Sequence, residues 1–415
     1  MMTTEHLPFR LQRMKILRVP SLMYNYSGIP PFGLATITAM LLEKGYRIEQ
    51  DDLDAKCAAD ELFPRNRWGK QFPAKDLLLD IERVRRYWDG TPDEAITEVV
   101  EQVLSYTDIE GIHTVLLSCI EGDDPSAVLA LCLGKHLKDH GYTVIVGGEA
   151  FPHMMPIKSE IRYFYEAGCF DYYIQGYGEV PLLNLFEKLD KSEPLNPVNG
   201  LVFAKGDAEE IENRPLFTRP EVIPDFDGLP MDLYYKFPDD WGSRPTEDEG
   251  VDEILILPVK LNYCCPMNCA FCISSGDAFS KVTWMEADTM AKAIKGLKEK
   301  YDTPYFMFAD DLFNISRKFA EGMADAFIEN KLDIMWSDCA YLKHLDAPLL
   351  QKIRRSGAIR LVWGVESASP KMQKLINKRI DLEEGKQILK WSHEAGIYNS
   401  LEIIAGLPGE TDEDT

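Results

Sequence analysis

The first half of the chain alternates short apolar runs rich in β-branched residues with stretches of helical periodicity, the signature of a parallel sheet covered by helices. Met14–Pro20 (MKILRVP) predicts a first strand, PPFGLATITAMLLEKGY a helix and RIEQDDLD a second strand. Thr114–Ile120 (TVLLSCI) predicts the next strand and DPSAVLALCLGKHLKDHGY the helix after it. TVIVGGEA, a helix through Tyr163–Tyr165, DYYIQ and a helix from Gly178 complete five strand-then-helix units. Residues 58–110 interrupt the series as a more polar, helix-rich insertion.

Residues 195–252 break the rhythm. NPVNGLVFAKGDAEEIENRP predicts a β-hairpin turning at Gly206–Asp207, too polar on one face to be buried on both. The Pro- and Asp-rich stretch that follows, RPEVIPDFDGLPMDLYYKFPDDWGSRPTEDEG, predicts an ordered linker pinned by its aromatics. A second strand–helix series starts at Ile254, with ILILPVKL, PYFMFAD, LDIMWSD, AIRLVWG and IYNSLEIIAG as its strands. TMAKAIKGLKEK, KFAEGMADAFIEN, APLLQKIRRSG and two stretches within Pro370–Gly396 are its helices. At LPGETDEDT an acidic first turn predicts the start of another helix. A parallel barrel of this size needs at least one more strand to cover its edge, so the chain is expected to continue past Thr415. The predicted organisation is a doubly wound, Rossmann-like α/β domain over 1–194, a hairpin and linker over 195–252, and a partial βα barrel over 253–415.

Length agrees with this division, since 415 residues exceed what one hydrophobic core serves. Apolar residues at 45% and charged residues at 27% are ordinary for a folded protein in water. The formal net charge of −23 argues against nucleic acid or an anionic membrane as a partner. The basic group Lys371, Lys374, Lys378 and Arg379 reads as a solvated helix face. No apolar run approaches the ~20 residues of a membrane span, and MMTTEHLPFRLQRMK lacks the apolar stretch of a secretory signal. A cytoplasmic location is expected. In a reducing compartment nine cysteines are not a disulfide framework. Cys57, Cys119, Cys132, Cys169 and Cys339 are scattered, and Cys119, Cys132 and Cys339, set among apolar neighbours, are expected to be buried.

The remaining cysteines cluster in LNYCCPMNCAFCISS. Cys265, Cys269 and Cys272 have CxxxCxxC spacing just after a predicted strand. Three cysteinates can hold three irons of a cubane and leave the fourth open, whereas a closed cluster or a structural zinc needs four ligands. A zinc site completed from elsewhere and a chance cysteine-rich loop are the alternatives; no second CxxC pair or nearby His favours the first of them. Neighbours in an extended loop point to opposite sides, so Cys264 and Cys265 are not both ligands.

This spacing, with the aromatic Phe271 before the last cysteine, resembles the radical SAM superfamily. GVES (Gly364–Ser367) resembles that family's SAM-binding segment, FADDLF (Phe308–Phe313) falls at an earlier strand end, and GLPGET (Gly406–Thr411) resembles its GFPGET turn. The resemblance implies a 4Fe–4S cluster and S-adenosylmethionine (SAM), with Phe271, Asp310, Asp311, Glu366 and Ser367 at the SAM site. Carboxylates that merely sit at helix N-termini are the bland reading of Asp310 and Glu366. It further implies reductive cleavage of SAM to methionine and a 5′-deoxyadenosyl radical, and an electron donor such as flavodoxin or ferredoxin.

GIPPFGLATITAMLLEKGY, VIVGGEAFP and DYYIQGYGEVPLLNLFEKL resemble the cobalamin-binding domain that precedes many radical SAM enzymes. Ser118, Gly147, Gly148, Gly176 and Tyr177 are the implied cobalamin positions, with Tyr177 where Glu stands in the usual GEGE turn. An ordinary doubly wound domain, with its glycines serving only tight turns, is the alternative. The family's DxHxxG motif is absent, which implies cobalt without a protein nitrogen ligand. The implied activity is cobalamin-dependent methylation of an unactivated carbon in a small-molecule substrate. Radical cyclisation or rearrangement, and a non-catalytic cobalamin- or metal-binding protein with an incomplete barrel, are the alternatives.

Overall fold

In the N-terminal part of the computed structural model the alternation of apolar residues becomes a sheet with a core on each face. The structure describes residues 7–21, 28–59, 73–119, 124–148, 151, 158–195, 198, 200–204, 222–236, 254–263, 265–272 and 282–414. They divide into two compact units, Met1–Tyr234 and Tyr235–Thr415.

The first unit holds strands β1 (Arg13–Arg18), β2 (Arg47–Asp52), β3 (Thr114–Ser118), β4 (Thr143–Gly147), β5 (Tyr172–Ile174) and β6 (Leu201–Ala204) in the order β2-β1-β3-β4-β5-β6. The first five are parallel and β6 is antiparallel to β5. Its helices are α1 (Phe32–Glu43), α2 (Leu53–Ala59), α3 (Pro73–Leu79), α4 (Ile81–Trp88), α5 (Glu94–Leu104), α6 (Asp124–Asp139), α7 (Lys158–Glu166) and α8 (Glu179–Asp190). Successive strand residues point to opposite faces. Leu17, Val115, Leu117, Val144 and Val146 therefore pack with α2–α7, while Met14, Ile16, Leu116 and Ile145 pack with α1 and α8. This is the doubly wound α/β arrangement that the alternation predicts.

The polar insertion turns out to be part of this architecture. Leu78, Val84, Trp88, Ile96 and Val100 from α3–α5 enter the same core as β3 and β4. Asp80 caps α4 by accepting from the Arg83 amide, and Asp93 caps α5 by accepting from the Ala95 and Ile96 amides. The polar residues mark the outer face and the helix starts, while the apolar stripe covers one side of the sheet. Phe226, Leu229 and Tyr234 of the expected linker are buried, and the Tyr234 hydroxyl donates to Asp52 at 2.8 Å. The predicted turn at Gly206–Asp207 and residues 237–250 of the linker lie outside the described residues.

The second unit holds β7 (Tyr235–Lys236), β8 (Ile254–Val259), β9 (Asn262–Tyr263), β10 (Thr283–Trp284), β11 (Tyr305–Phe308), β12 (Met335–Ala340), β13 (Ala358–Glu366) and β14 (Tyr398–Ile403). The order β14-β13-β12-β11-β8-β7 sets each of its five parallel strands beside its neighbour in sequence, and β7 pairs antiparallel to β8. Winding in one direction is the partial βα barrel that the sequence predicts. Its helices are α9 (Ala287–Tyr301), α10 (Arg317–Glu329), α11 (Ala347–Arg355), α12 (Pro370–Leu375) and α13 (Leu382–Glu394). Ser316, Asp346, Ser369 and Asp381 cap α10, α11, α12 and α13 through their side chains. Among the described residues no helix is long and apolar enough to cross a membrane.

At LPGETDEDT, where the start of a helix is expected, the acids close turns: Glu410 accepts from the Gly406 and Leu407 amides, and Asp414 from the Thr411 amide at 3.0 Å. One expectation is corrected. Cys57, Cys119, Cys132 and Cys169 are buried, but Cys339 is exposed. Trp336, Asp338 and Ala340 take the buried face of β12, and the period of two puts Cys339 on the other face.

Candidate functional site

The cysteines follow the carboxyl end of β8, which in a βα barrel is the end that builds sites. Two short strands prepare the loop: β9 pairs antiparallel with β10, with Tyr263 opposite Thr283, so the segment between them leaves and returns at one place. Behind it stands Asp310, 4% exposed, in the loop after β11. One carboxylate oxygen of Asp310 accepts from the Leu261 amide at 2.6 Å and the Asn262 amide at 3.0 Å. The other accepts from the Asn262 side-chain amide at 2.7 Å. Asp310, expected at a ligand, thus turns both oxygens to the chain that leads into the cysteine loop.

The loop itself is held from the far side. The Ala270 amide donates to the Ile376 carbonyl at 2.8 Å, and the Asn377 side chain donates to the Asn268 carbonyl at 2.5 Å. Within it the Cys272 amide donates to the Cys269 carbonyl at 3.2 Å. Cys269 is buried, and Cys265 and Cys272 are half-buried. Burial pushes the Cys265 and Cys269 thiols up, while the nearby Lys378 ammonium pulls Cys269 back. Cys264 lies outside the described residues.

Three cysteine thiols on one loop are a donor set that suits a cubane with one open iron, in which each thiolate would hold a different iron. Among the described residues no group of three His, Cys, Asp or Glu side chains could hold a single metal ion.

Opposite the loop, β13 ends in a bulge where Glu366 adopts φ +65°. Its side chain is buried and pairs with Lys378 at 2.9 Å. Lys378 was expected on a solvated helix face. It instead follows the end of α12, between Asn377 and Arg379, which both have left-handed backbone, and its side chain is 13% exposed. Arg379 there carries a conformational cost of about 1–2 kcal/mol, whereas Asn tolerates that region, and the surrounding contacts offset it. The Lys378 ammonium lies 5.8 Å from the centre of the Phe271 ring and 5.9 Å from that of Tyr341. The Tyr341 hydroxyl donates to the Lys378 carbonyl. Gly364 makes room for the pair, since a Cβ there would stand 2.7 Å from both the Glu366 carboxylate and the Lys378 ammonium.

Ser367 is buried; its hydroxyl accepts from the Ser369 amide and its carbonyl from the Gln373 side chain. Asp311, half-buried, pairs with Lys260 at 3.4 Å. The fold thus gathers Cys269, Phe271, Glu366 and Lys378 and sets Asp310 behind the loop. Tyr341 and Asn262 escaped the sequence reading and Lys378 entered it only as a solvated charge, as no local pattern distinguishes them.

In the first unit, Ser118, Gly147, Gly148, Gly176 and Tyr177 all lie at the carboxyl ends of parallel strands. Strand order reverses between β1 and β3, the position where doubly wound sheets open a ligand crevice. Ser118, half-buried, ends β3 there, and its carbonyl accepts from the Val19 amide at 2.9 Å.

Residues 259–415 match the profile of the Radical SAM superfamily. The chain is 25% identical over 285 residues to an uncharacterised methyltransferase of Pyrococcus horikoshii, covering 68% of this chain and 58% of the relative. It is 24% identical to the anaerobic magnesium-protoporphyrin IX monomethyl ester cyclase of Rubrivivax gelatinosus, covering 60% of this chain and 44% of that one. The chain therefore spans about half the length of the curated relatives it matches. In fold it is similar to the cobalamin-dependent SAM radical enzyme OxsB with aqua-cobalamin and SAM bound (TM-score 0.65, 16% identity, 95% of this chain and 49% of that one). It is similar also to the radical SAM methyltransferase TsrM of Kitasatospora setae with cobalamin and a [4Fe-4S] cluster bound (TM-score 0.65, 15% identity, 97% of this chain and 69% of that one).

Proposed function

We propose that this chain, whose residues 259–415 match the Radical SAM superfamily, is a cobalamin-dependent radical SAM enzyme that methylates an unactivated carbon of a small molecule. The reading is carried by the pinned loop of Cys265, Cys269 and Cys272 facing the Glu366–Lys378 pair at the carboxyl end of a parallel barrel. When bound, the cluster supplies the electron that breaks a C–S bond of SAM, and cobalamin carries the methyl group. Cys265, Cys269 and Cys272 would each hold one iron of the cluster, and the fourth would be open to SAM. Phe271, Glu366, Ser367 and Asp311 are the residues assigned to orient SAM, while Asp310 acts through the backbone it holds. Ser118, Gly147, Gly148, Gly176 and Tyr177 form the crevice for cobalamin. The electron comes from a flavodoxin- or ferredoxin-like donor.

Similarity to a cyclase keeps radical ring closure as the second reading. Anaerobic reconstitution followed by iron and acid-labile sulfide analysis tests the cluster, and a chain that retains neither is a binding protein instead. Turnover with methyl-labelled SAM then separates the two chemistries. Label in the product together with S-adenosylhomocysteine supports methylation, whereas 5′-deoxyadenosine with an unlabelled, rearranged product supports cyclisation.

A further inference from the structure

We propose that Asp338 is a positioning residue that carries a proton and donates it to Asp310, and thereby fixes the backbone from which the cysteine loop departs. The contacts run across three adjacent strands: Asp338 on β12, Asp310 after β11 and Asn262 after β8. Asp310 and Asp338 are 4% and 2% exposed, their neighbouring strands β11 and β12 pair with Met307 opposite Ser337, and the charge of each bears on the other. As two carboxylates they would repel, and neither could donate. One oxygen of Asp338 accepts from the Cys339 amide at 2.7 Å, but the other is buried and has no donor. Leaving such a group unpaired is costly, and more so when it is charged. One shared proton removes both the repulsion and the orphan.

The donors decide which carboxyl bears it. Asp310 receives three N–H groups, from the Leu261 amide, the Asn262 amide and the Asn262 side chain. N–H donors favour the ionised form. Asp338 receives only one and has an oxygen to spare, so the proton resides on Asp338 and its O–H points to Asp310. An O–H donor to a carboxylate belongs to the stronger, charge-assisted class. The charged and titratable groups that bear on the pair are Lys260, which favours the ionised Asp310, Asp311, which disfavours it, and Cys339 beside Asp338. Burial is the largest cause in both residues and pushes both upward, Asp338 well above the ordinary carboxylate range.

The consequence for the cysteine loop rests on the proposed ligand role of Cys265, Cys269 and Cys272; the proton does not. Infrared spectra of the full chain at neutral pH, with and without Asp338→Asn, read the proton directly. The carbonyl stretch of a protonated carboxylic acid is expected in the wild type and lost in the variant, and an unchanged spectrum overturns the assignment. Asp338→Asn keeps a donor through its amide, so hydrogen exchange at the Leu261 and Asn262 amides should stay slow. Asp338→Leu removes the donor, and exchange there should quicken several-fold. Equal protection in Asp338→Leu and wild type overturns the positioning role. If Asp338→Leu fails to fold, the infrared comparison still decides where the proton is. Iron content after reconstitution should fall in Asp338→Leu and hold in Asp338→Asn. A wild-type chain that takes up no iron contradicts the cluster reading alone and leaves the infrared and exchange results standing.

Discussion

Gly364→Ala is the sharpest test of the site, because it adds one methyl group whose nearest neighbours are the Glu366–Lys378 pair. The new Cβ would stand 2.7 Å from each charged group, well inside van der Waals contact. Both atoms end flexible side chains, so the methyl is accommodated by parting a pair that now meets at 2.9 Å. Gly364 is not among the positive-φ glycines, so alanine fits its backbone, and the substitution by itself should stabilise by about 0.4–1 kcal/mol through the unfolded chain. Against this stands the loss of a hydrogen bond between charged groups, about 1.5–3 kcal/mol. The net expectation is a destabilisation of about 1–2 kcal/mol. Lys378→Met removes the partner and frees Glu366 to move, so in that background Gly364→Ala should be neutral or slightly stabilising. A double-mutant cycle on denaturant unfolding of the full chain measures the difference, and contacting residues commonly couple by about 0.5–3 kcal/mol. Equal effects of Gly364→Ala in both backgrounds would refute the claim that the pair occupies the space above Gly364.

Replacing Cys265, Cys269 or Cys272 by Ala should abolish cluster absorbance after reconstitution, while Cys264→Ala should retain it; iron retained in Cys265→Ala but lost in Cys264→Ala would move the ligand by one residue. The Co(II) form of bound cobalamin should show no nitrogen superhyperfine splitting from a protein His in its electron paramagnetic resonance spectrum, and such splitting would refute the absence of a protein ligand. The raised Asp338 also sets a pH dependence. The native state keeps a proton that the unfolded chain releases, so this stability is complete below the ordinary carboxylate range and is lost as pH rises above it. The melting temperature of the wild type relative to Asp338→Asn should accordingly fall between about pH 5 and pH 8; a rise would contradict the buried acid pair.

Periodicity made the sheets legible because burial on alternate sides writes itself into β3 and β4 residue by residue. Asp80, Asp93, Ser316 and Asp381 cap helices through their own side chains, a contact completed within three residues, so these starts are written locally although all of them escaped the sequence reading. What else escaped depends on contacts distant in sequence. Nothing local marks Lys378 as buried, since its partners Glu366 and Tyr341 come from other elements. Asp338 looks like one polar residue in an apolar strand until Asp310 is folded against it. Apolar neighbours misled at Cys339 because adjacent strand residues share sequence context but not a face.

The glycines of the first unit carry the same lesson into the cobalamin reading. Gly147 and Gly148 fit a backbone that makes way for a flat ligand, yet the protein alone requires Gly148. Its φ is +122°, and a Cβ there would lie 2.1 Å from the Cys119 carbonyl oxygen and 2.9 Å from its amide nitrogen. Both are backbone atoms that cannot swing aside, so Gly148→Ala should disrupt the packing of β4 against β3 whether or not a cofactor binds. Loss of cobalamin in that variant would therefore say nothing about contact. Ser118 is the better probe, since it ends β3 beside the strand-order reversal and is half-buried. If cobalamin occupies the crevice at this edge, Ser118→Leu should lower cobalamin retention on gel filtration and leave the melting temperature near that of the wild type. Gly148→Ala should lower both. Full retention in Ser118→Leu would remove this edge of the sheet from the cofactor site.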